Sequence, residues 1–241
     1  MTTIQIIDGR AEGEQGRDFL PAMGRNWLLP LYDLFTRYAR VGALHERTVE
    51  LAGITSGQTV LDVGSGTGNL AFSVLRAVPD AVVTGHDPDA AGLRLAARKA
   101  RRRGVRLSLV QGYADRLLPA DGSVDHVVSS LALHHVDDAG REGFGREAYR
   151  ILRPGGRVTI VDFGDPDHGP GHDGHDGHHG HDGHRHGRGH SRRQRGREAY
   201  AARNRDNAIV KLLTDAGFAD AREIDHVEHR FGPITIVQAT R

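Results

Sequence analysis

The chain contains no cysteine and no apolar run long enough to cross a membrane. Its 241 residues include no Cys, which excludes disulfides, thiolate metal sites and cysteine nucleophiles and is typical of a reducing interior. No stretch of about 18 consecutive apolar residues occurs. The N-terminus has neither the basic start nor the apolar run of a signal peptide. We therefore expect a cytoplasmic protein without a membrane span.

Aromatic residues are also few, and the net charge is close to zero. Phe, Trp and Tyr make up 5% of the residues, and the formal net charge is +1 with neutral histidines. A nearly neutral chain lacks the overall positive field that is typical of nucleic-acid-binding proteins. We therefore expect no nucleic-acid partner. Composition leaves the oligomeric state open.

From residue 59 onward, short apolar segments alternate with segments of helical periodicity. Strands are predicted at 59–63, 81–86, 106–110, 124–129 and 156–162, and helices at about 68–78, 89–103, 113–118 and 138–152. This alternation predicts parallel strands with right-handed crossovers and helices on both faces. A helix at 198–216 and two strands at 218–230 and 231–240 follow. We expect a doubly wound α/β fold with a mostly parallel sheet of seven strands, the last of them antiparallel.

Composition divides the chain into four parts. Residues 1–52 are expected to form an N-terminal arm, poorly ordered over 1–25, and helices that act as a lid. Residues 53–163 form the core, and residues 164–197 form a flexible insert rich in His and Gly. Residues 198–241 complete the core with a helix and a β-hairpin.

The most specific motif is Val-Leu-Asp-Val-Gly-Ser-Gly-Thr-Gly at 60–68. Its order predicts a buried strand, a tight turn and a helix N-terminus. Glycine lets backbone approach a ligand without a Cβ in the way, and Asp62 places a carboxylate just before the turn. Such a loop suits a ligand with a carboxylate and cationic groups, such as S-adenosylmethionine. One alternative is a turn that merely needs glycine. The other is a dinucleotide site, but its motif is Gly-x-Gly-x-x-Gly, and Gly68 comes one residue too early for it.

At this point the chain resembles the class I S-adenosylmethionine-dependent methyltransferases, and more narrowly the ubiquinone/menaquinone C-methyltransferase-like proteins of the type 11 branch. Four stretches carry the resemblance: residues 60–68, Gly-His-Asp-Pro-Asp at 85–89, residues 121–136, and Ile-Leu-Arg-Pro-Gly-Gly-Arg-Val at 151–158. The resemblance implies a Rossmann-like methyltransferase fold, S-adenosylmethionine as the cofactor and a small-molecule methyl acceptor.

The resemblance also implies where the cofactor binds. Asp87 ends the second strand about 20 residues past the glycine loop, where an acid accepts the ribose hydroxyls; its alternative role is helix capping, for which Asp89 is better placed. Tyr113 stands where the family often has an acid for the adenine amino group, and it either covers the ring or packs in the core. The predicted set is Asp62, Gly64, Ser65, Gly66, Thr67, Gly68, Asp87, Pro88, Tyr113, Ala114, Ser130 and Leu131.

Catalytic residues are less clearly indicated. His134 and His135 follow the fourth strand, and either is a candidate general base because imidazole titrates near neutrality. The alternative is a structural role in capping and hydrogen bonding beneath the site, since methyl transfer mainly needs in-line positioning. Tyr32 is a further candidate. It lies in the aromatic segment 26–40, which in related enzymes covers the cofactor.

Residues 168–190 hold nine of the sixteen histidines and no apolar side chain. Such a segment does not fold alone. Closely spaced imidazoles favour Ni(II), Zn(II) and Cu(II) over Mg(II). The candidate metal ligands are His172, His175, His178, His179, His181, His184 and His186. The alternative functional hypothesis is therefore a metal-binding or metal-responsive protein on a methyltransferase-like scaffold. A nucleic-acid methyltransferase is disfavoured because no Asn-Pro-Pro-Tyr-like tetrapeptide follows the fourth strand.

Overall fold

The computed structural model describes residues 4–14, 41–164, 204, 207–229 and 232–241. Eight strands form one sheet: β1 (Ile6–Asp8), β2 (Thr59–Val63), β3 (Val82–Asp87), β4 (Ser108–Gln111), β5 (Val124–Ser130), β6 (Leu152–Phe163), β7 (Arg222–His229) and β8 (Gly232–Thr240). Within the described ranges the helices are α1 (Val41–Ala52), α2 (Asn69–Ala77), α3 (Ala90–Arg103), α4 (Asp138–Ile151) and α5 (Ala208–Asp215), with a 3₁₀ turn at Leu133–His135.

The strand order is β1-β4-β3-β2-β5-β6-β8-β7. Strands β1 to β6 pair in parallel, and β8 runs antiparallel to both β6 and β7. The mostly parallel α/β sheet and its antiparallel last strand are thereby confirmed. The chain winds outward from β2 in one direction and from β5 in the other, so the order reverses between these two strands. In open α/β sheets, ligands bind outside the carboxyl ends of the strands at such a reversal.

Helices cover both faces of the sheet. On one face, α1, α2 and α3 share an apolar core with β2, β3 and β4, in which Leu93 and Leu109 are fully buried. On the other face, α4 and α5 pack against β5 and β6 through Phe144, Leu213 and Ile160, which are also fully buried. Burying a side chain of this size stabilises the fold by about 1.5–3 kcal/mol. Because helices cover both faces, we expect a ligand to bind at the carboxyl ends of the strands.

The expectation of seven strands is wrong, because β1 adds an eighth at the edge of the sheet. It lies in the segment that we expected to be poorly ordered. Ile6 pairs with Leu109 of β4, and Ile4 is buried in the core beneath α2 and α3. Two apolar side chains therefore anchor a strand of three residues, which is too short to give a periodic signal in the sequence.

The predicted helix at 113–118 is also wrong, because this segment consists of turns and bends. Contacts with α4 replace the helical hydrogen bonds. The Leu117 amide donates to the Glu147 carboxylate at 2.8 Å, and the Arg150 guanidinium donates to the Leu117 carbonyl at 2.8 Å. Tertiary bonds to the backbone thus satisfy groups that a short helix leaves unpaired at its ends.

Several sequence-based expectations fall outside the described residues. These are the aromatic segment 26–40 and the His-rich insert. Among the residues that the structure does describe, no helix has the length and apolar character needed to cross a membrane.

Candidate active site

The glycine loop connects β2 to α2 at the reversal of strand order. Gly64 and Gly66 have φ angles of 75° and 50°, in the left-handed region that favours glycine. A Cβ on Gly64 would lie 2.3 Å from the Ala132 Cβ, whereas a Cβ on Gly66 would meet no atom within 4 Å. Gly64 therefore allows the loop after β5 to approach closely, and the side of Gly66 on which a Cβ would lie faces open space.

Asp87 lies at the end of β3 and joins that strand to the glycine loop. Its Oδ2 accepts a hydrogen bond of 2.8 Å from the Gly66 amide, and its Oδ1 accepts one of 2.8 Å from the Asp89 amide. Asp89 itself caps α3 by accepting from the Ala91 amide, so the capping role belongs to Asp89. Burial raises the pKa of Asp87 to about 6, opposed by these two amide bonds. Each carboxylate oxygen retains a lone pair for a ligand hydroxyl.

Asp62 lies beneath the glycine loop and is only 1% exposed. Its Oδ2 accepts a hydrogen bond of 3.1 Å from the Ala71 amide in the first turn of α2. Burial, together with the nearby Asp87 carboxylate, raises the pKa of Asp62 to about 7, opposed by the hydrogen bond from the Ala71 amide. Two buried acids therefore lie on either side of the loop. A positively charged ligand at this edge would stabilise the ionised forms of both acids, which burial disfavours.

A lysine from α3 braces the far side of the loop. The Lys99 ammonium donates to the Thr67 carbonyl, the Thr67 hydroxyl and the Asn69 side-chain oxygen, each at 2.9 Å. The Thr67 hydroxyl thus takes part in holding the loop. By contrast, Ser65 Oγ is buried and has no hydrogen-bond partner among the described residues. The Lys99 bonds therefore fix the shape of the loop, while the Ser65 hydroxyl is enclosed between the loop and Gly85 of β3.

The predicted adenine edge lies between β3, β4 and the N-terminal segment. The Gln111 side chain donates to the Pro88 carbonyl at 3.1 Å. The Tyr113 hydroxyl donates to the Glu14 carbonyl at 3.4 Å, which ties the loop after β4 to the segment after β1. Ala114 packs against the apolar core on the α4 side. Tyr113 thus reaches across this edge of the site.

The backbone after β5 adopts a strained conformation. Leu131 has a φ angle of 53°, and its amide donates to the Val161 carbonyl of β6 at 2.7 Å. For a residue with a side chain this conformation costs about 1–2 kcal/mol. Backbone strain of this kind concentrates at ligand sites and active sites. The neighbouring Ser130 Oγ is buried and has no hydrogen-bond partner within the described ranges.

The two histidines after β5 have different surroundings. His134 is buried, and its Nδ1 lies 2.6 Å from Oδ1 of Asp162 at the end of β6. The His135 ring packs against the His134 ring with 4.1 Å between centroids. The Phe163 ring packs edge-on against the same His134 ring, with 4.9 Å between centroids. Tyr32, the third catalytic candidate, lies outside the described residues.

The arrangement fits a nucleoside cofactor with a cationic centre. The open backbone at Gly66 provides space, and the buried hydroxyls of Ser65 and Ser130 are without partners in the described part of the chain. The Asp87 carboxylate, fixed by two amides, is placed to accept hydroxyl groups. A cationic group of the ligand would stabilise the ionised Asp62 carboxylate, which burial alone disfavours.

Comparisons with known proteins agree with this geometry. Residues 60–156 match the sequence profile of a family described as a methyltransferase domain. By this similarity we refer to residues 60–156 as the methyltransferase domain. It contains the glycine loop, Asp87 and both histidines.

Relatives of the methyltransferase domain share its sequence over part of their length. The chain is 34% identical over 145 residues to a demethylmenaquinone methyltransferase of Thermus thermophilus, covering 59% of this chain and 65% of the relative. It is 35% identical over 125 residues to a ubiquinone/menaquinone biosynthesis C-methyltransferase of Enterobacter, covering 49% of this chain and 48% of the relative. The chain therefore spans about half to just under two thirds of these curated relatives.

The fold also matches solved methyltransferase structures. A phosphoethanolamine N-methyltransferase 2 of Haemonchus contortus, solved in complex with S-adenosylmethionine, superposes with a TM-score of 0.69 at 16% identity. The match covers 92% of this chain and 58% of that one. At this identity the likeness concerns the fold.

Two residues that the sequence did not indicate as functional, Lys99 and Asp162, hold the glycine loop and His134 in place. Lys99 follows Gly92 by seven residues, and this helical spacing places both on the face of α3 that packs against the glycine loop. The spacing is the only sequence signal for the position of Lys99. Asp162 had no such signal, because only the pairing of β5 with β6 brings it to His134.

Metal ligands are not found around the methyltransferase domain. In the part of the chain that the structure describes, no group of three or more His, Asp or Glu side chains is arranged to hold a metal ion. The seven histidines predicted as ligands lie outside those residues, so the metal hypothesis stays a prediction.

Proposed function

We propose that the chain transfers a methyl group from S-adenosylmethionine to a small-molecule acceptor. The observation that carries this proposal is the open backbone of Gly66, hydrogen-bonded at 2.8 Å to the buried Asp87 carboxylate at the reversal of strand order. An acid fixed next to the half-buried Gly66 suits a ribose beside a charged chain. The names of the relatives support the same reaction class.

In this proposal each cofactor group has a partner. Asp87 accepts the ribose hydroxyls, and Tyr113, Ala114 and Pro88 border the adenine. The backbone of Gly64 to Gly68 contacts the methionine part of S-adenosylmethionine. The buried hydroxyls of Ser65 and Ser130 supply hydrogen bonds to it. Asp62 stabilises the positive charge of the methionine ammonium and sulfonium groups. S-adenosylmethionine, when bound, supplies an electrophilic methyl group.

The acceptor class follows from the relatives, whose names refer to demethylmenaquinone and to ubiquinone or menaquinone biosynthesis. We take a hydroquinone ring, which has ionisable hydroxyl groups, as the first acceptor class. The matched stretch contains the glycine loop and the loop after β5, but it covers only part of each relative. The acceptor is therefore a separate proposal from the cofactor.

The test supplies the protein with S-adenosylmethionine carrying a deuterated methyl group, together with naphthohydroquinones that have an unsubstituted ring carbon. Mass spectrometry of the products is expected to show the labelled methyl on the ring. Asp87→Ala should abolish most of this transfer, whereas Asp80→Asn, which changes an exposed carboxylate next to β3, should retain it. Binding of the cofactor without transfer to any hydroquinone would reject the acceptor class. Absence of cofactor binding would reject the whole proposal.

A metal-dependent role for the insert remains a second proposal. Its basis is composition alone: nine histidines between residues 168 and 190. Neutral imidazole binds Zn(II) and Ni(II), and protons compete for the same nitrogen. This hypothesis adds a metal store or a metal-sensitive cover to the methyltransferase domain and is tested below by deletion.

A further inference from the structure

Helix α3 concentrates positive charge on one part of the surface. Its 14 residues include five arginines and one lysine but no acidic residue, whereas the formal net charge of the whole chain is only +1. The remainder of the chain is therefore net negative. This separation of charge gives the molecule a positive side, which orients it toward an anionic partner.

Four of the arginines form a row on the outward side of α3. They follow one another at i, i+4, i+7 and i+8, a spacing that places them on the same side of a helix, and all four are exposed. The opposite side of the helix is buried in the apolar core. At a rise of 1.5 Å per residue the row extends about 12 Å along the helix. This arginine face consists of Arg94, Arg98, Arg101 and Arg102.

The arginine face has no partner within the described part of the chain. No ion pair or side-chain hydrogen bond joins its guanidinium groups to another described residue. Other exposed arginines differ, since Arg47 pairs with Asp225 at 2.7 Å and Arg76 pairs with Glu46 at 2.9 Å. The donors of the arginine face are therefore available to an external partner.

Helix stability does not explain the whole row. Cations in the last turn of a helix interact favourably with its dipole, which accounts for Arg101 and Arg102. Arg94 and Arg98 lie before that turn, and like charges at i, i+4 destabilise a helix. Binding to an external anion explains all four positions.

We propose that the arginine face docks the protein onto a bilayer that contains anionic phospholipids. Guanidinium groups bind phosphate bidentately, and clusters of about four to eight basic residues on one helix are typical of binding to anionic lipid surfaces. Leu95 precedes Arg98 by three residues and Arg102 by seven, so it lies on the same side. It is only half-buried and adds an apolar contact for the headgroup boundary. This docking does not depend on the proposed methyl transfer.

Nucleic acid fits the arginine face less well. A helix that reads duplex DNA enters the major groove, which is about 12 Å wide, whereas α3 lies flat on the sheet with Leu93 and Ala100 buried in the core. Proteins that bind single strands use aromatic side chains as stacking platforms. Helix α3 contains no aromatic residue, and the Phe72 ring beside it is buried and covered by Arg103, whose guanidinium carbon lies 4.1 Å from the ring centroid.

The arginine face also lies close to the proposed cofactor site. Helix α3 begins at Ala90, three residues after Asp87, and Arg94 is about one turn further along. The row therefore starts near the carboxyl edge of the sheet and runs away from it. Docking through α3 would place that edge beside the bilayer surface.

Vesicle flotation of the full chain tests the docking. The measurement is made at pH 8, where histidine is neutral, so the His-rich insert contributes no imidazolium charge. The vesicles contain phosphatidylglycerol with phosphatidylcholine, or phosphatidylcholine alone. We expect binding only to the anionic vesicles at about 0.1 M salt and release at about 1 M, where the Debye length is much shorter. Equal binding to both vesicles, or no binding to the anionic ones, would overturn the proposal.

Replacing part of the arginine face identifies the contact. The triple variant Arg98→Gln, Arg101→Gln, Arg102→Gln should lower vesicle partitioning roughly 100-fold, because each arginine near an anionic surface contributes a factor of about five. The same three positions changed to Lys should retain most of the binding, since the charge remains. Circular dichroism confirms that both variants are folded. Undiminished binding of the Gln variant, or loss of binding in the folded Lys variant, would overturn the proposal.

A matched control removes the same charge elsewhere on the surface. Arg146 on α4, Lys211 on α5 and Arg222 on β7 are all exposed. Changing these three residues to Gln should lower partitioning far less than the α3 variant does. An equal loss in both triple variants would overturn the proposal, because net charge alone would then control binding.

Two competitors identify the source of the phosphate. At the same phosphate concentration as the lipid, neither inorganic phosphate nor duplex DNA should displace the protein from anionic vesicles. Displacement by inorganic phosphate would mean that the arginine face binds a single anion. Displacement by DNA would make nucleic acid its preferred partner. Either result would overturn the assignment of a bilayer.

Discussion

Replacement of Asp62 by Asn should make the protein more stable and a weaker binder of its cofactor. The Asp62 carboxylate is buried beneath the glycine loop, and its pKa is raised to about 7. Asn has the same shape and retains an oxygen for the Ala71 amide, which now donates to Asp62 at 3.1 Å. The substitution therefore removes a costly buried charge without removing the hydrogen bond.

The size of the effect follows from the pKa. Because the folded protein holds the Asp62 proton more tightly than the unfolded chain, the wild type loses stability as the pH rises from about 4 to about 7. The shift from 3.8 to about 7 is roughly three pKa units, and each unit is worth about 1.4 kcal/mol. Asp62→Asn lacks this loss. Its advantage in unfolding free energy should grow from near zero at low pH to at most about 4 kcal/mol at pH 8.

Urea denaturation followed by circular dichroism at pH values from 4 to 8 measures this difference. Calorimetric titration with S-adenosylhomocysteine at pH 8 measures the accompanying loss of affinity. Asp80→Asn, which changes an exposed side chain, serves as the control for both measurements. An advantage that does not grow with pH would refute the reasoning about burial. Unchanged affinity in Asp62→Asn would show that the buried acid does not serve the cofactor.

Three further predictions concern the loops and the insert. Asp87→Ala should weaken S-adenosylhomocysteine binding by about 2 kcal/mol or more, because charged hydrogen bonds are worth ~1.5–3 kcal/mol each; equal calorimetric affinities would remove Asp87 from the site. The unfolding free energy of Leu131→Gly, measured by urea denaturation, should exceed that of Leu131→Ala by about 1 kcal/mol, because glycine adopts a φ of 53° without strain; the opposite order would contradict the strain. A chain without residues 168–190 should keep its fold and its cofactor affinity but lose Zn(II) and Ni(II) binding, which in the full chain should weaken below pH ~6.5. Metal binding that survives the deletion would place the ligands elsewhere.

The sequence was sufficient to predict the main architecture because its signals are local. The strand–loop–helix order at 60–78 follows from an apolar run, alternating glycines and helical periodicity, and the structure has β2 and α2 there. Asp89, at the N-terminus of α3, is likewise recognisable as a cap. Each of these features depends on neighbours within a few residues.

The rest depended on contacts between distant residues. Strand β1 exists because Ile4 and Ile6 reach a core whose other members lie between Val49 and Val128. Segment 113–118 has the composition of a helix, but Glu147 and Arg150 bind its backbone and prevent one. The pairing of Asp162 with His134 spans 28 residues. No periodic pattern encodes such contacts.

A calorimetric titration of the full chain with S-adenosylhomocysteine and, separately, with NAD tests the proposed cofactor site most directly. The open loop at Gly66 and the Asp87 carboxylate predict binding of S-adenosylhomocysteine at one site per chain, displaced by S-adenosylmethionine, and no measurable heat with NAD. Binding of NAD without binding of S-adenosylhomocysteine would contradict the central claim, because the glycine loop would then hold a dinucleotide.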